Sequence, residues 1–237
     1  MQRYFSNKIN NNYLYLNDDD IYHIKKVMRM SNDDNVEIVY DNKLYITKIE
    51  DINNNIKFKI IDNLDYKKIN TPIVTLIIPF LKETKIDLIL QKATEMGVSN
   101  FILCPMERSM VKMDLKKIDN KIIRWNRICK EASEQSKRTN IPNIKIVAKI
   151  DELKNLDGHN FTCSTQEKEN NIKKVLKNVG ICDKINLVIG PEGGISPKEE
   201  MFLNSIGFKS ISLGNLIMRV ESVPLFLMSI INYEYME

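Results

Sequence analysis

The sequence predicts an α/β protein in which a mostly parallel sheet follows a small β domain. From residue 72 onward, continuous apolar runs such as PIVTLIIPF (72–80) and INLVIG (185–190) alternate with helical segments. That alternation is typical of a parallel sheet covered by helices. Before residue 70, strand-like segments follow one another, with Asn- and Asp-rich turns between them. We therefore expect a β domain over residues 1–70 and an α/β domain over residues 71–237.

The first domain is expected to be a small β-barrel with a helical insert. Its strand candidates are rich in β-branched and aromatic residues, and they are residues 13–16, 35–40, 43–50 and 56–61. DIYHIKKVMRM (20–30) lies between two of them and is predicted to be a helix.

The second domain begins with the strand over residues 72–80. The helix that follows has Ile86, Ile89, Ala93 and Met96 on one face and reaches Gly97 at its end. Further strands are predicted at 100–105, 161–164, 185–190 and 210–213, and further helices at 119–138, 169–180, from 197 onward and at 224–236. We therefore expect strands and helices to alternate through the whole domain.

Composition excludes several classes of protein. The chain has 237 residues, of which 43% are hydrophobic and 28% are charged, as is usual for a globular protein. No apolar run approaches the roughly 18 residues of a membrane span, and MQRYFSNKINNN at the N-terminus lacks the apolar core of a signal peptide. We expect a cytoplasmic protein that does not enter the membrane. The four cysteines and two histidines are scattered without the spacing of zinc ligands, so no metal is expected.

Positive charge is concentrated in one segment. Residues 107–149 contain twelve Lys or Arg and five Asp or Glu, although the whole chain has a net charge of only +4. A basic segment on an otherwise mildly acidic chain indicates a contact with a nucleic-acid backbone, and a solvated helix face would look the same.

LVIGPEGGISPKEE (187–200) contains three of the eight glycines within five residues. It follows a buried strand and precedes a helix, for which Ser196 is a good N-cap, Pro197 suits the first position and Glu199 completes a capping box. A loop at the carboxyl end of a parallel strand is where ligands bind in open α/β sheets. Glycines let a ligand approach the main chain, whereas a plain turn needs only one of them.

The ligand is expected to be neither a phosphate nor a dinucleotide. The loop matches neither phosphate-binding glycine motif. Glu192 would repel a phosphate, whereas it would suit a cation such as the sulfonium of S-adenosylmethionine or could stabilise the loop itself. A second glycine loop, SLGNLIMRVESVP (212–224), also follows a strand. Its apolar residues could wall an adenine slot at a pocket shared by the two loops, or could form a buried core turn.

These motifs resemble the RsmE family of the SPOUT superfamily. The most specific parts are LVIGPEGGISPKE (187–199) and LGNLIMRVES (213–222). LQKATEMGV (90–98), EASEQSKR (131–138) and HIKKVMRM (23–30) resemble further family segments in the same order. Members of that family methylate N3 of one uridine in small-subunit ribosomal RNA, with S-adenosylmethionine as the methyl donor.

The resemblance implies a fold, a site and an assembly. The second domain would carry a SPOUT-type trefoil knot, the first would be a PUA-like β-barrel that helps to hold RNA, and the enzyme would be a homodimer with shared pockets. The implied cofactor-binding residues are Ser164, Thr165, Ile189, Gly190, Pro191, Glu192, Gly193, Gly194, Leu213, Gly214, Leu216, Ile217, Met218 and Val223. Arg219 and Glu221 match the family and are the catalytic candidates, with Arg219 as the cation that stabilises a uracil anion. The alternative role of Arg219 is a salt bridge to Glu221 or to a carboxylate of the partner subunit.

The chain departs from the family at two points. Leu216 stands where the family usually has arginine, and Glu221-Ser222-Val223 replaces the usual Glu-Thr-Ala.

The candidate RNA-binding residues are Arg3, Arg29, Arg108, Arg124 and Arg138. Two other functions stay open: methylation of transfer RNA or another ribosomal position, and a non-catalytic RNA-binding assembly factor. The apolar helix 224–236 is expected to form the dimer interface.

Overall fold

The computed structural model describes residues 1–64, 71–112 and 118–236. The chain forms two compact units, Met1–Lys68 with Lys130–Ile141, and Ile69–Cys129 with Pro142–Glu237. The predicted boundary between residues 70 and 71 adjoins residues 65–70, which lie outside the described residues. The sequence predicts two continuous domains, whereas the basic segment contributes its residues 130–141 to the first unit.

The first unit is built on a curled six-stranded sheet. Its strands are β1 (Arg3–Phe5), β2 (Lys8–Asn10), β3 (Tyr13–Tyr15), β4 (Asn35–Tyr40), β5 (Lys43–Glu50) and β6 (Lys57–Leu64), in the order β1-β4-β5-β6-β3-β2. The β1–β4 pair is parallel and the others are antiparallel. Asp41 and Asn42 both have positive φ, which matches the right-handed twist of a two-residue hairpin between β4 and β5.

The helical insert of this unit is shorter than the sequence predicts. Helix α1 (Asp18–Tyr22) is capped by Asn17 and continues as a π-helical segment, His23–Val27. The helical segment stops before Arg29, whose φ of 51° lies in the left-handed region. Ile24 points into the core with Leu14, Ile38 and Phe58, all of them fully buried. The insert therefore packs against the hydrophobic core of this sheet.

A charged cluster lies within the first unit. The Lys130 ammonium is 2.5 Å from Asp20 Oδ1 and 2.8 Å from Glu134 Oε1. The side chains of both acids are at least 85% buried. Burial, opposed by the bond from Lys130, raises the pKa of Glu134 to about 7. Burial and the charges of Glu134 and Asp20 also raise the pKa of Tyr4, whose hydroxyl lies 2.8 Å from His23 Nδ1.

The second unit is an α/β layer with a parallel sheet, as predicted. Its strands are β7 (Ile73–Pro79), β8 (Asn100–Cys104), β9 (Asn143–Ile146), β10 (His159–Cys163), β11 (Lys184–Val188) and β12 (Lys209–Ile211), in the order β12-β10-β11-β7-β8-β9. Every pairing is parallel. Its helices are α2 (Glu83–Glu95), α3 (Ile118–Gln135), α4 (Ile172–Leu176), α5 (Pro197–Ser205) and α6 (Ser222–Tyr235), and a 3-10 turn spans Ile150–Leu153. The last residues of α3 belong to the first unit.

Helix α4 covers less of the chain than the predicted helix over 169–180. The Glu167 carboxylate accepts hydrogen bonds from the backbone N–H groups of Glu169 and Asn170, which folds the start of this stretch into a turn. Asn171 then caps α4 by accepting from the Lys174 N–H. The segment before α4 is thereby free to pair with the end of β12, where Ser212 N–H donates to Asn170 O and Ile172 N–H to Ser212 O.

The strand order places three loops together. Because β10 lies between β11 and β12 and all three are parallel, their carboxyl ends meet at one edge of the sheet. Among the helices that the structure describes, none is long and apolar enough to cross a membrane.

Candidate cofactor and active site

Three loops form the candidate site, and each follows one of three neighbouring strands. They are loop A (164–171) after β10, loop B (189–196) after β11 and loop C (212–221) after β12. The sequence predicts that loops B and C converge on one pocket. In the structure the strand between them is β10, so loop A lies between loops B and C. Ser164 anchors loop A by donating its N–H to Ile211 O at 2.9 Å, and Ile189 anchors loop B by donating to Ile77 O.

The glycines of loop B have three different roles. A Cβ on Gly190 would lie 2.8 Å from Ile195 Cγ1, so this glycine lets the loop fold back on itself. Gly194 donates its N–H to Pro191 O at 2.8 Å and has a φ of +73°, which closes a tight turn. A Cβ on Gly194 would meet nothing within 4 Å. Only at Gly194 does the loop therefore present bare main chain to open space.

The exit from loop B is rigid. Ser196 and Glu199 form the predicted capping box at the start of α5. The Glu199 carboxylate, which is buried, accepts from the N–H groups of Ser196 at 3.0 Å and of Glu107 at 2.7 Å. One side chain thus caps a helix and ties loop B to the segment after β8, and the sequence indicates only the first of these roles.

Arg108 supports the underside of loop B. Its Nη1 donates to Gly193 O at 3.1 Å, and a Cβ on Gly193 would lie 3.1 Å from Arg108 Cβ. Gly193 is therefore needed because Arg108 packs against it. The sequence places Arg108 among the RNA contacts, and in the structure its guanidinium is hydrogen-bonded to the main chain of loop B.

Loop C exposes apolar side chains. Leu216 and Ile217 are 85% and 86% exposed, and Leu213 and Met218 are half-buried. Gly214 has a φ of +110° and open space beside it. The alternative of a buried core turn therefore does not describe Leu216 and Ile217, because apolar residues this exposed beside bare main chain are typical of a binding surface.

A lysine that the sequence does not single out connects loops B and C. Lys85, in the first turn of α2, lies 2.9 Å from Glu192 Oε1 and 3.2 Å from Glu221 Oε2. The bond to Glu192 raises the pKa of Lys85. Burial acts to raise the pKa of Glu192, but hydrogen bonding to Lys85 outweighs it and the pKa is lowered. A backbone hydrogen bond, helped by Lys85 and Arg219, lowers the pKa of Glu221.

The other candidate site residues lie on the same loops. Arg219 is exposed, and among the described residues its guanidinium makes no hydrogen bond or ion pair at contact distance. Ser164 is half-buried and its hydroxyl accepts from the Gln166 N–H, Thr165 is exposed, and Val223 is half-buried at the start of α6. A groove of about 820 Å³ continues from loop A. Gln166, Glu167, Asn170, Lys174, Asn204 and Ser210 line it, together with other residues.

The five arginines proposed to bind RNA differ in exposure. Arg3 and Arg138 are buried, and Arg3 donates to Glu37 and to the carbonyl oxygens of Lys137 and Arg138. A phosphate could reach Arg3 only by displacing these partners. Arg124 is about half exposed and pairs with Glu83 and Asp87, while Arg29 is exposed. Within the described ranges, no cluster of three or more His, Cys, Asp or Glu could hold a metal ion.

Two family models define the class of this protein, an RNA methyltransferase with an added PUA domain. A family model described as the RNA methyltransferase domain matches residues 68–232, and one described as the RNA methyltransferase PUA domain matches residues 16–62. The predicted fold class, a SPOUT-type α/β domain after a small PUA-like domain, is confirmed.

Relatives narrow this class to one family. The chain is 30% identical to ribosomal RNA small subunit methyltransferase E of Mesomycoplasma hyopneumoniae, over 97% of this chain and 98% of that protein. It is 29% identical to the Aquifex aeolicus protein of the same name, over 98% and 99% of the two chains. The chain belongs to the ribosomal RNA small subunit methyltransferase E family.

A solved structure shares the whole fold. The crystal structure of ribosomal RNA small subunit methyltransferase E from Neisseria gonorrhoeae, bound to S-adenosyl methionine, has a TM-score of 0.88 to this chain. The two are 22% identical, and the match covers 99% of this chain and 98% of that chain. At this identity the similarity establishes the fold.

Proposed function

We propose that the protein methylates N3 of a specific uridine in small-subunit ribosomal RNA, with S-adenosylmethionine as the methyl donor. The observation that carries this proposal is the meeting of loops A, B and C at the carboxyl ends of β10, β11 and β12. Family membership supplies the substrate class. Methylation of transfer RNA or of another ribosomal position has no such support.

The residues of the three loops fit this cofactor. Gly194 and Gly214 present main chain to open space, which suits hydrogen bonding to an adenine edge or a ribose. The exposed side chains of Leu216 and Ile217 would cover the apolar faces of the bound molecule. Ser164 and Thr165 would contribute from loop A, and Pro191 and Val223 would complete the walls. When bound, the cofactor supplies an electrophilic methyl group on a cationic sulfur.

Arg219 and Glu221 are the proposed catalytic residues. Uracil N3 must lose its proton, and a nearby cation stabilises the resulting anion. Arg219 suits this role because its guanidinium is exposed and is not held by another described side chain. Glu221, whose pKa is lowered, stays ionised at neutral pH and can accept hydrogen bonds from the substrate or orient Arg219. Much of the rate enhancement would then come from holding the two reactants in line.

RNA would contact the basic side chains that the fold leaves accessible. Arg29 and Arg124 are the accessible members of the proposed set, while Arg108 is hydrogen-bonded to Gly193 of loop B.

We propose a homodimer through α6, because Phe226 and Tyr233 are exposed at positions seven residues apart on one helix face. Met228, which the sequence assigns to that interface, is 1% exposed and belongs to the core of the chain. We also propose a cytoplasmic location, where ribosomal RNA is found.

Two measurements test the proposed function. Calorimetry with S-adenosylmethionine should give a saturable heat of binding, and its absence would favour a non-catalytic assembly factor. Mapping of methylated nucleotides in ribosomal and transfer RNA from cells with and without the protein should show loss of one 3-methyluridine in the small subunit. Loss of a different modification would assign another target.

A further inference from the structure

Lys85 occupies a central position between two loops that the sheet does not connect directly. Strand β10 separates β11 from β12, so no backbone ladder joins the ends of these two strands. Lys85 contacts both loops with one ammonium group, through Glu192 of loop B and Glu221 of loop C. A single side chain from α2 thus fixes the distance between two parts of the site.

The charges explain why a cation is needed there. Glu192 and Glu221 each lie within 3.2 Å of the same nitrogen, so without Lys85 two carboxylates would face each other across a narrow space. Their side chains are 32% and 18% exposed, so water screens the repulsion only in part. Loops B and C would then separate, or one carboxylate would take up a proton.

An ordinary surface ion pair would look different. Lys92, on the same helix, pairs with Glu95 three residues later at 2.9 Å, and such a pair contributes little to any property of the protein. Lys85 instead joins residues that are 107 and 136 positions further along the chain. A long-range bridge of this kind restrains tertiary structure at the site.

We propose that Lys85 is a positioning residue that holds loops B and C at the separation required to bind the cofactor. It acts through Glu192 and Glu221 and does not itself contact the reacting atoms. This inference rests on the proposed function, because it assigns to Lys85 the shaping of the same cofactor site.

The first test compares three variants by calorimetry with two ligands. S-adenosylmethionine carries a charged sulfonium, and S-adenosylhomocysteine is the same molecule without the methyl group and therefore without the charge on sulfur. Lys85→Met should weaken both ligands by about tenfold or more, because a displaced loop affects them equally. Lys85→Arg, which keeps the charge, should bind both within about threefold of the parent, and Lys92→Met should bind within about twofold.

A double-mutant cycle separates positioning from an independent contact. If Lys85 acts through Glu192, the double variant of Lys85→Met and Glu192→Gln should bind no more weakly than Lys85→Met alone, within about twofold. KM for S-adenosylmethionine should rise more than kcat falls in Lys85→Met. Thermal unfolding is measured first, and Lys85→Gln, which keeps a hydrogen-bond donor, is used if the methionine variant does not fold.

Each remaining outcome overturns the proposal. Unchanged affinities in folded Lys85→Met would show that loops B and C keep their separation without the lysine. Tighter binding of S-adenosylmethionine alone would show that Lys85 only competes with the sulfonium charge. If the fold-loss of affinity in the double variant equals the product of the losses in Lys85→Met and Glu192→Gln, Lys85 does not act through Glu192. If the parent protein binds neither ligand, the proposed function fails first, and the role of Lys85 fails with it.

Discussion

The guanidinium of Arg108 donates a hydrogen bond to the carbonyl oxygen of Gly193, 85 residues further along the chain. The bond fixes the orientation of the peptide between Gly193 and Gly194, and with it the direction in which Gly194 presents its main chain. A residue of the basic segment thereby determines the shape of loop B.

Replacing Arg108 tests this relationship. Arg108→Met keeps most of the side-chain volume but removes the donor, and we expect S-adenosylmethionine to bind about five- to tenfold more weakly, as for the loss of one hydrogen bond. Arg29→Met, which removes an exposed arginine, should leave the cofactor affinity unchanged. If Arg108→Met binds the cofactor as tightly as the parent but binds RNA more weakly, Arg108 is an RNA contact and does not act through loop B.

Gly194 offers a test with a close control. Gly194→Ala forces a non-glycine residue into positive φ, at a cost of about 1–2 kcal/mol, and places a methyl group in the space assigned to the cofactor. Gly207→Ala, after α5, has the same kind of strain and the same open surroundings, but it is not on loop A, B or C. Both variants should lose similar thermal stability, whereas only Gly194→Ala should lose cofactor affinity. Equal cofactor affinities in Gly194→Ala and Gly207→Ala would show that Gly194 does not line the cofactor site.

The buried cluster around Glu134 predicts a pH dependence of stability. The pKa of Glu134 is about 7 in the folded protein and near its ordinary value when unfolded, so the folded state binds a proton more tightly between these values. The free energy of unfolding should therefore fall as pH rises from about 4.5 to 7, by at most about 1.4 kcal/mol per pH unit from this group. Above about pH 7 the contribution of Glu134 to the free energy of unfolding does not fall further.

Glu134→Gln isolates this contribution. Urea unfolding at several pH values should show that the variant lacks the decline, while Glu107→Gln, at an exposed glutamate whose charge does not contribute to the pKa of Glu134, keeps it. Comparison of each variant with the parent at the same pH isolates the contribution of the replaced carboxylate. Parallel stability curves for the parent and Glu134→Gln would contradict the assignment.

The proposed dimer depends on the exposed face of α6. Phe226→Glu places a charge on the face that also carries Tyr233, and light scattering should report monomers in place of a particle of twice the chain mass. Ile61→Glu, at an apolar side chain of β6 that is also exposed, should stay dimeric. A parent protein that is monomeric at micromolar concentration and fully active would refute both the interface and a shared site.

RNA binding is tested at Arg29. Arg29→Glu should weaken binding of a small-subunit RNA fragment and reduce the slope of log affinity against log salt by about 1 for a lost phosphate contact. Lys43→Glu makes the same charge change at an exposed position of the first unit. Equal losses for the two variants would show that only net charge matters, and no loss for either would move the RNA surface away from Arg29.

The sequence predicts the fold and the loops well because the signals for both are local. The buried run of β7 and the capping box of Ser196 and Glu199 need only neighbouring residues to be recognised. The sequence does not predict strand β9, because its four residues, NIKI, alternate between exposed and half-buried side chains and form no continuous apolar run. A short strand of this kind forms because it pairs with a neighbouring strand, which for β9 is β8.

Long-range partners explain what could not be predicted. Nothing in the spacing of Lys85 distinguishes it from Lys82 or Lys92, since its partners become neighbours only after the sheet has formed. Arg3 looks like a surface cation in the sequence, but Glu37 and two carbonyl oxygens satisfy its donors inside the first unit. Which charged side chains are exposed can therefore be determined only from the structure.

The central position of β11 has a consequence for how the protein folds. Its partners are Ile73–Ile77 of β7, more than a hundred residues earlier, and β10, which itself must accept β12 on its other side. Pairings this distant in sequence form slowly, because a long loop must close before any contact is gained. A chain emerging from the ribosome cannot build the three loops until almost all of it has been synthesised. The protein therefore becomes able to bind its cofactor only at the end of folding, and a chain truncated before β12 would lack one of the three loops.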